Sequence, residues 1–194
     1  MTLPAELEPL GARPAATAVA RCVAATAGLL ARRRVHQPRT WVGRRLHFAD
    51  GSSAPVYRET VVDRGPAEEP CLLVVGFRLR AVHGRGHVLF RWESELNTPL
   101  FVGFPGFVSK LWLAHDDHDL YRGVYEWDGP HRAEDYARAL YRVLALVSSA
   151  GSIHYQVVPG LRRDEAIATP ARLARLAGDA DTTPADPAWW WRPV

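Results

Sequence analysis

The chain has 194 residues, 47% of them apolar, and a formal net charge of +3. That is enough for one domain with extensions and a sizeable core. The charge is mild and spread over scattered arginines, which argues against a nucleic-acid partner. The two cysteines, Cys22 and Cys71, form neither a CxxC nor a zinc spacing and read as small core residues, so the expected compartment is the cytoplasm.

The basic residues are oddly divided: 23 are arginine and one, Lys110, is lysine. The arginine and alanine excess fits codon composition. The lone lysine in an apolar strand stands out against it.

In chain order, Met1 to Pro14 is Pro-rich and irregular. Ala15 to Arg34 reads as a helix, with Val19, Val23, Ala27 and Leu30 on one stripe and arginines at its C-terminal end. Its Ala-rich part is interrupted by Arg21, is read as too short to span a bilayer, and is preceded by Glu6 and Glu8 rather than a basic leader. From Arg44 to Val62, alternating residues around Asp50-Gly51 read as a hairpin with a longer loop, and Asp63 to Pro70 as a linker.

Cys71 to Val82 reads as a strand, Gly84 to Gly86 as a turn and His87 to Leu96 as a helix. Phe107 to Ala114 and Leu120 to Trp127 are strands, and Ser152 to Val158 is a fourth. Between the last two lies the clearest helix, opened by Gly129-Pro130, with Ala133, Tyr136, Ala137, Leu140, Val143, Leu144 and Val147 on its buried stripe and Gly151 at its end.

This order, β-α-β-β-α-β, predicts an α+β ferredoxin-like core with an N-terminal helix-hairpin extension. The expected divisions are 1–66 for the extension, 67–160 for the core and 161–194 for a tail. Two helices would cover one face of the sheet. The other face needs a cover, commonly a partner subunit. Past Gly160 the tail loses periodicity, apart from a short helical pattern near Ala171 to Leu176. It ends in three tryptophans, Trp189 to Trp191, costly to leave in water and expected to dock on this chain or a neighbour.

The most chemical-looking stretch is "HDDHD", His115 to Asp119. Lying between two strands, it reads as a solvent-exposed hairpin turn rather than a metal site. The turn sets a register. Lys110 then opposes Tyr125, Trp112 opposes Gly123, Val108 opposes Trp127 and Ala114 opposes Tyr121. One face thus gathers Lys110, Trp112, Tyr121, Tyr125 and Trp127, while Ser109, Leu111 and Leu113 face Glu126, Val124 and Arg122 on the other. Gly123 opposite Trp112 leaves room for a large group or for the indole. A lysine beside a tyrosine lowers the phenol's pKa, which suits proton transfer to or from an anionic or enolic ligand. The same face reads equally as a pocket, as aromatic packing or as a dimer seam.

Arg78 and His154 are weaker candidates, for anion binding or pairing with Glu126 and for general-base or haem-ligand roles respectively. Arg91, Glu93 and Glu95 read as a solvated helix face. No GxSxG, P-loop, GxGxxG or HExxH is present, and no cofactor or metal is expected.

"NTPLFVGFPGFVSKLWL" followed by "YRGVYEWDGPHRAEDYARALYRVL" resembles the YdhR-type monooxygenases of the dimeric α/β-barrel superfamily. The similar features are Gly106-Phe107 entering a strand, Lys110 and Trp112 two apart, Gly123-Val124-Tyr125, and the helix after Asp128. They span about Cys71 to Val158. The resemblance implies a homodimer whose two sheets face each other across a cavity. It also implies a small-molecule enzyme, with cofactor-independent oxygenation of aromatic or polyketide-like substrates, cyclisation, isomerisation and haem binding among related proteins. No catalytic set carries over. On the residues themselves, Lys110 and Tyr125 are the candidate catalytic pair, with Trp112, Trp127, Tyr121, Arg78 and His154 around the substrate. The alternative is a non-catalytic binding or oligomeric interaction protein.

Overall fold

The structure is a computed structural model describing residues 9–80, 98–176 and 190–194. Helix α1 spans Ala12–Ala31. It starts earlier than its apolar pattern because Pro14 is tolerated in a first turn. It stops earlier because Arg33 takes φ 55°, the left-handed exit conformation. At 20 residues α1 is long and apolar enough to cross a membrane by length and composition, which corrects the expectation of a helix too short to do so. Its buried Cys22 and Thr26 both donate to the Pro99 carbonyl, at 3.2 and 3.4 Å.

Strands β1 (Val35–His36), β2 (Arg45–His47) and β3 (Ser53–Val62) follow. β2 and β3 form the expected hairpin. Its loop closes because the Asp50 carboxylate accepts from the Ser52 amide at 2.9 Å and the Ser52 hydroxyl at 2.6 Å. β3 then pairs with the core strand β5, so the hydrogen-bonded sheet continues from the N-terminal extension into the core.

The remaining strands are β4 (Pro70–Arg78), β5 (Phe107–Leu113), β6 (Leu120–Asp128) and β7 (His154–Pro159). The sheet runs β1-β3-β5-β6-β4-β7, with β2 on β3, and all its pairs are antiparallel. Its inner order β7-β4-β6-β5 is that of the split βαβ arrangement, so the fold is α+β and ferredoxin-like. The expected turn at Gly84 to Gly86 and helix at His87 to Leu96, with Arg91, Glu93 and Glu95, lie outside the described residues. A short 3₁₀ turn, Thr98–Leu100, leads into β5.

Helix α2 spans Pro130–Val147 and begins after Gly129, whose φ of 99° would strain any residue with a Cβ. Ala133, Tyr136, Ala137 and Leu140 are buried, as their spacing predicts. Val143 and Leu144 are only half-buried and Val147 is exposed, and all three border the space between this helix and the sheet.

Successive strand residues face opposite sides, so two cores form. One joins α1 and α2 to the sheet through Leu73, Phe101, Phe107, Trp112, Tyr125, Trp127 and Tyr136. The other holds Leu46, Phe48, Leu72, Val74, Leu111, Leu113, Val124, Leu173 and Trp191. This second face was expected to need a cover, commonly a partner subunit, and here segments of the same chain supply one. The cover comprises the β2–β3 hairpin, the C-terminal strap Trp190–Val194, and two helices: α3 (Arg163–Ala168), where a loss of periodicity predicted less structure, and α4 (Pro170–Leu176), which matches the short helical pattern expected near Ala171 to Leu176. The strap is held by Ala49 N–H donating to the Arg192 carbonyl at 2.9 Å and Val194 N–H to the His47 carbonyl at 3.0 Å. Gly76 makes room for it: a Cβ there would come within 2.5 Å of the Trp190 ring. Trp191 is buried, so the strap docks on its own chain, while Trp189 lies outside the described residues.

Candidate functional site

"HDDHD" forms the β5–β6 turn. Asp119 N–H donates to the Asp116 carbonyl at 3.1 Å, and Asp119 takes φ 58°. No group of three or more potential metal ligands occurs among the described residues. One residue departs from the solvent-exposed reading. Asp116 is buried, and its carboxylate accepts from the His118 amide at 2.8 Å, the Leu120 amide at 3.0 Å and Arg122 Nη1 at 2.6 Å. Burial pushes the Asp116 carboxyl up, but these hydrogen bonds and the Arg122 charge outweigh it and hold the group below its ordinary pKa. The loop's acid is thus a structural anchor.

The turn delivers the expected register where it matters: Lys110 pairs with Tyr125 and Trp112 with Gly123. A bulge between Phe107 and Ser109 shifts the strand's start, so Phe107 rather than Val108 opposes Trp127. The regular pairing ends at Leu113 with Arg122, before Ala114 and Tyr121. The Lys110 face is the one beneath α2, which removes it as a subunit seam. Between sheet and helix lies a cavity of about 170 Å³. Its walls include Lys110, Trp112, Tyr121, Gly123 and Tyr125 from the sheet, Phe101 from the segment before β5, and Tyr136, Leu140 and Leu144 from α2.

Lys110 is only 6% exposed. Its Nζ lies 3.1 Å from the Trp112 ring centroid, 4.6 Å from that of Phe101 and 4.8 Å from that of Tyr125. None of the ion pairs among the described residues includes it. Burial, reinforced by the nearby Arg58 charge, holds the ammonium well below the ordinary lysine pKa. The aromatic faces attract a cation, but they do not replace its lost hydration.

Tyr125 behaves opposite to expectation. Burial pushes its phenol up, the hydrogen bond from Tyr136 at 3.2 Å opposes this, and Tyr57 adds to the rise. Desolvation therefore outweighs any help from Lys110, and the hydroxyl stays protonated. Tyr136 is pushed up as well, chiefly by burial and then by Tyr125. The nearest group to the space beside Gly123 is the Tyr125 ring, which a Cβ would approach within 2.6 Å.

Other expected site residues lie elsewhere. Trp127 is fully buried against Phe107 and Tyr136 and does not line the cavity. Arg78 is exposed at the end of β4, where its Nε donates to the His118 carbonyl at 3.0 Å. Glu126, its expected partner, instead pairs with Arg162 at 3.2 Å. His154 is exposed on the opposite sheet face, its ring 6.1 Å from that of Trp190, so it offers the cavity neither a base nor a haem ligand. Tyr121 does line the cavity and stacks on Phe77 at 5.8 Å.

Sequence reasoning missed Arg58. A bulge between Val56 and Arg58 brings both Tyr57 and Arg58 beside Trp112, with the guanidinium 4.7 Å from its ring. Arg58 also donates to the Thr98 hydroxyl, and Trp112 Nε1 donates to Thr60 at 3.2 Å. Nothing local in β3 signals a bulge. Tyr136 was read only as a core residue, and its hydroxyl contact with Tyr125 arises from α2 crossing the sheet.

No family model and no curated protein matches the chain. Two solved structures are similar to part of it: an uncharacterized ferredoxin-fold protein related to antibiotic biosynthesis monooxygenases from Listeria monocytogenes, and a monooxygenase-like protein from Listeria innocua. Each is 14% identical with a TM-score of 0.38, and the likeness covers 55% of this chain and 63% of the other.

Proposed function

We propose that the protein is a monooxygenase-like small-molecule enzyme whose substrate is a single-ring aromatic phenol or enol bound in the Lys110 cavity. The carrying observation is a buried lysine whose ammonium end sits over three aromatic rings, in no ion pair among the described residues, while lining a cavity. At about 170 Å³ the cavity exceeds the roughly 150 Å³ that holds one benzene in an apolar core. It falls short of the ~300–1,000 Å³ of drug-sized sites, which favours one ring over a polyketide.

Lys110, held toward the neutral amine, takes the proton from the substrate's hydroxyl or acidic carbon. The electron pair stays on the substrate as a phenolate or enolate beside the new ammonium. Such an electron-rich anion is the form from which oxygenation or isomerisation starts. Tyr125, kept protonated, serves as a hydrogen-bond donor rather than a base. The non-catalytic reading shares this binding step and lacks turnover.

The homodimer belongs to this proposal only through a surface other than the sheet faces, since the chain covers both; light scattering gives the stoichiometry. A cytoplasmic location is supported by two buried free cysteines.

4-Nitrophenol, whose ionised form absorbs at longer wavelength, tests the reading. Wild type is expected to bind it with an ionised-form spectrum at pH 6, where most free dye is neutral, and Lys110→Met to lose that band. No binding, or the same spectrum in both proteins, defeats the assignment.

A further inference from the structure

We propose that Lys110 is also a covalent site, forming an imine with a single-ring aromatic aldehyde or ketone held in the cavity. This rests on the preceding reading that the cavity binds ligands, and it adds a second substrate class and a bond to the protein. The geometry is that of a nucleophile in a largely apolar cavity. Nζ faces the rings of Phe101, Trp112 and Tyr125, and the same side chain lines a cavity sized for one ring. None of the ion pairs among the described residues ties the nitrogen down. A lysine amine is activated when desolvated in an apolar pocket or set beside another cation, and both conditions meet here: Lys110 is buried, and Arg58 shares contact with Trp112. Burial and Arg58 both favour the free base, the form that attacks carbonyl carbon.

The step balances without an oxidant or reductant. The Nζ lone pair bonds to the carbonyl carbon, and the carbonyl π pair moves to oxygen. A proton passes from nitrogen to that oxygen, giving a carbinolamine. Its C–O bond then breaks as C=N forms, and nitrogen loses its last proton. One water leaves for each imine made. The proton that nitrogen loses ends on the departing oxygen, and the Tyr125 hydroxyl, which accepts a hydrogen bond from Tyr136 and keeps its own proton, donates a hydrogen bond to that oxygen. An aromatic ring on the carbonyl compound both fills the cavity and conjugates with the imine, which favours it over aliphatic aldehydes.

The chain contains one lysine, so the reaction has one ε-amine to report. Folded protein is treated with benzaldehyde and cyanoborohydride at neutral pH and examined by intact mass and peptide mapping. Benzaldehyde binding without reductant is followed separately by calorimetry, in competition with toluene. The expected result is a single benzyl group replacing a hydrogen, mapped to Lys110. It should form at least tenfold faster than in urea-unfolded protein, be blocked by toluene, and be absent from Lys110→Met. Toluene protection needs no variant, so misfolding of Lys110→Met does not decide the question. Toluene-competed binding with no adduct, or with label on the chain's α-amine alone, overturns the imine and leaves the cavity reading standing. Absence of both binding and adduct overturns both.

Discussion

Lys110 and Arg122 are both buried basic side chains on neighbouring strands, and they face opposite sides of the sheet. Arg122, with a fully buried side chain, is saturated. It pairs with Asp116 at 2.6 Å and Asp50 at 3.0 Å, donates to Ser52 at 2.7 Å and the Trp190 carbonyl at 2.8 Å, and lies 4.2 Å over the Phe48 ring. Lys110 meets three aromatic rings. The difference follows from the two groups themselves. A guanidinium cannot shed its proton in a protein, so burial demands carboxylates and carbonyls. An ammonium can, so it tolerates an apolar site by becoming an amine. The saturated cation ties the β5–β6 turn, the β2–β3 loop and the C-terminal strap to β6. The other is in no ion pair among the described residues and lines a cavity.

The largest test of this contrast is Arg122→Met. It leaves the buried Asp116 carboxylate without its cation, and a loss of about 3–5 kcal/mol in urea unfolding is expected. A loss below ~1 kcal/mol would mean that the network is not holding the face together. Next comes Gly76→Ala, which drives a methyl into the Trp190 ring and should cost about 1–3 kcal/mol in the same assay, with the strap more readily cleaved by protease.

Lys110→Met is expected to move the other way, stabilising the fold by about 1 kcal/mol near neutral pH because a desolvated polar group gives way to an apolar one of similar shape. The pH dependence has a definite sign. With the folded-state lysine pKa lowered, the unfolded chain binds more protons between that value and the ordinary ~10.4, so wild-type stability from this group rises with pH across that window. The gap between the variant and wild type should therefore shrink as pH approaches 10. A pH-independent gap would show that Lys110 keeps an ordinary pKa. The smallest effect belongs to Asp117→Ala at the exposed tip of the same turn, within about 0.5 kcal/mol.

Local pattern carried much of the architecture. Period two in β5 and β6, with a short turn between them, was enough to put Lys110 opposite Tyr125 and Trp112 opposite Gly123. Period 3.6 marked the Tyr136 side of α2, and Pro130 after Gly129 marked its start. Such signals need only neighbours in the chain. The bulges at Phe107/Ser109 and Val56/Arg58 leave no comparable mark, yet they set Phe107 rather than Val108 opposite Trp127 and brought Arg58 to Trp112.

Pairing between distant segments lay beyond the sequence for the same reason. Nothing in Trp190-Trp191 says that it seats over Gly76, and nothing in "HDDHD" says that Asp116 turns inward to a guanidinium. By itself the sequence determined which residues share a strand face. The tertiary structure decided which face is roofed by helix and which by the chain's own ends. Through burial it also decided the protonation: the low-dielectric space under α2 favours a neutral lysine and a neutral tyrosine where the sequence suggested an ammonium beside a phenolate.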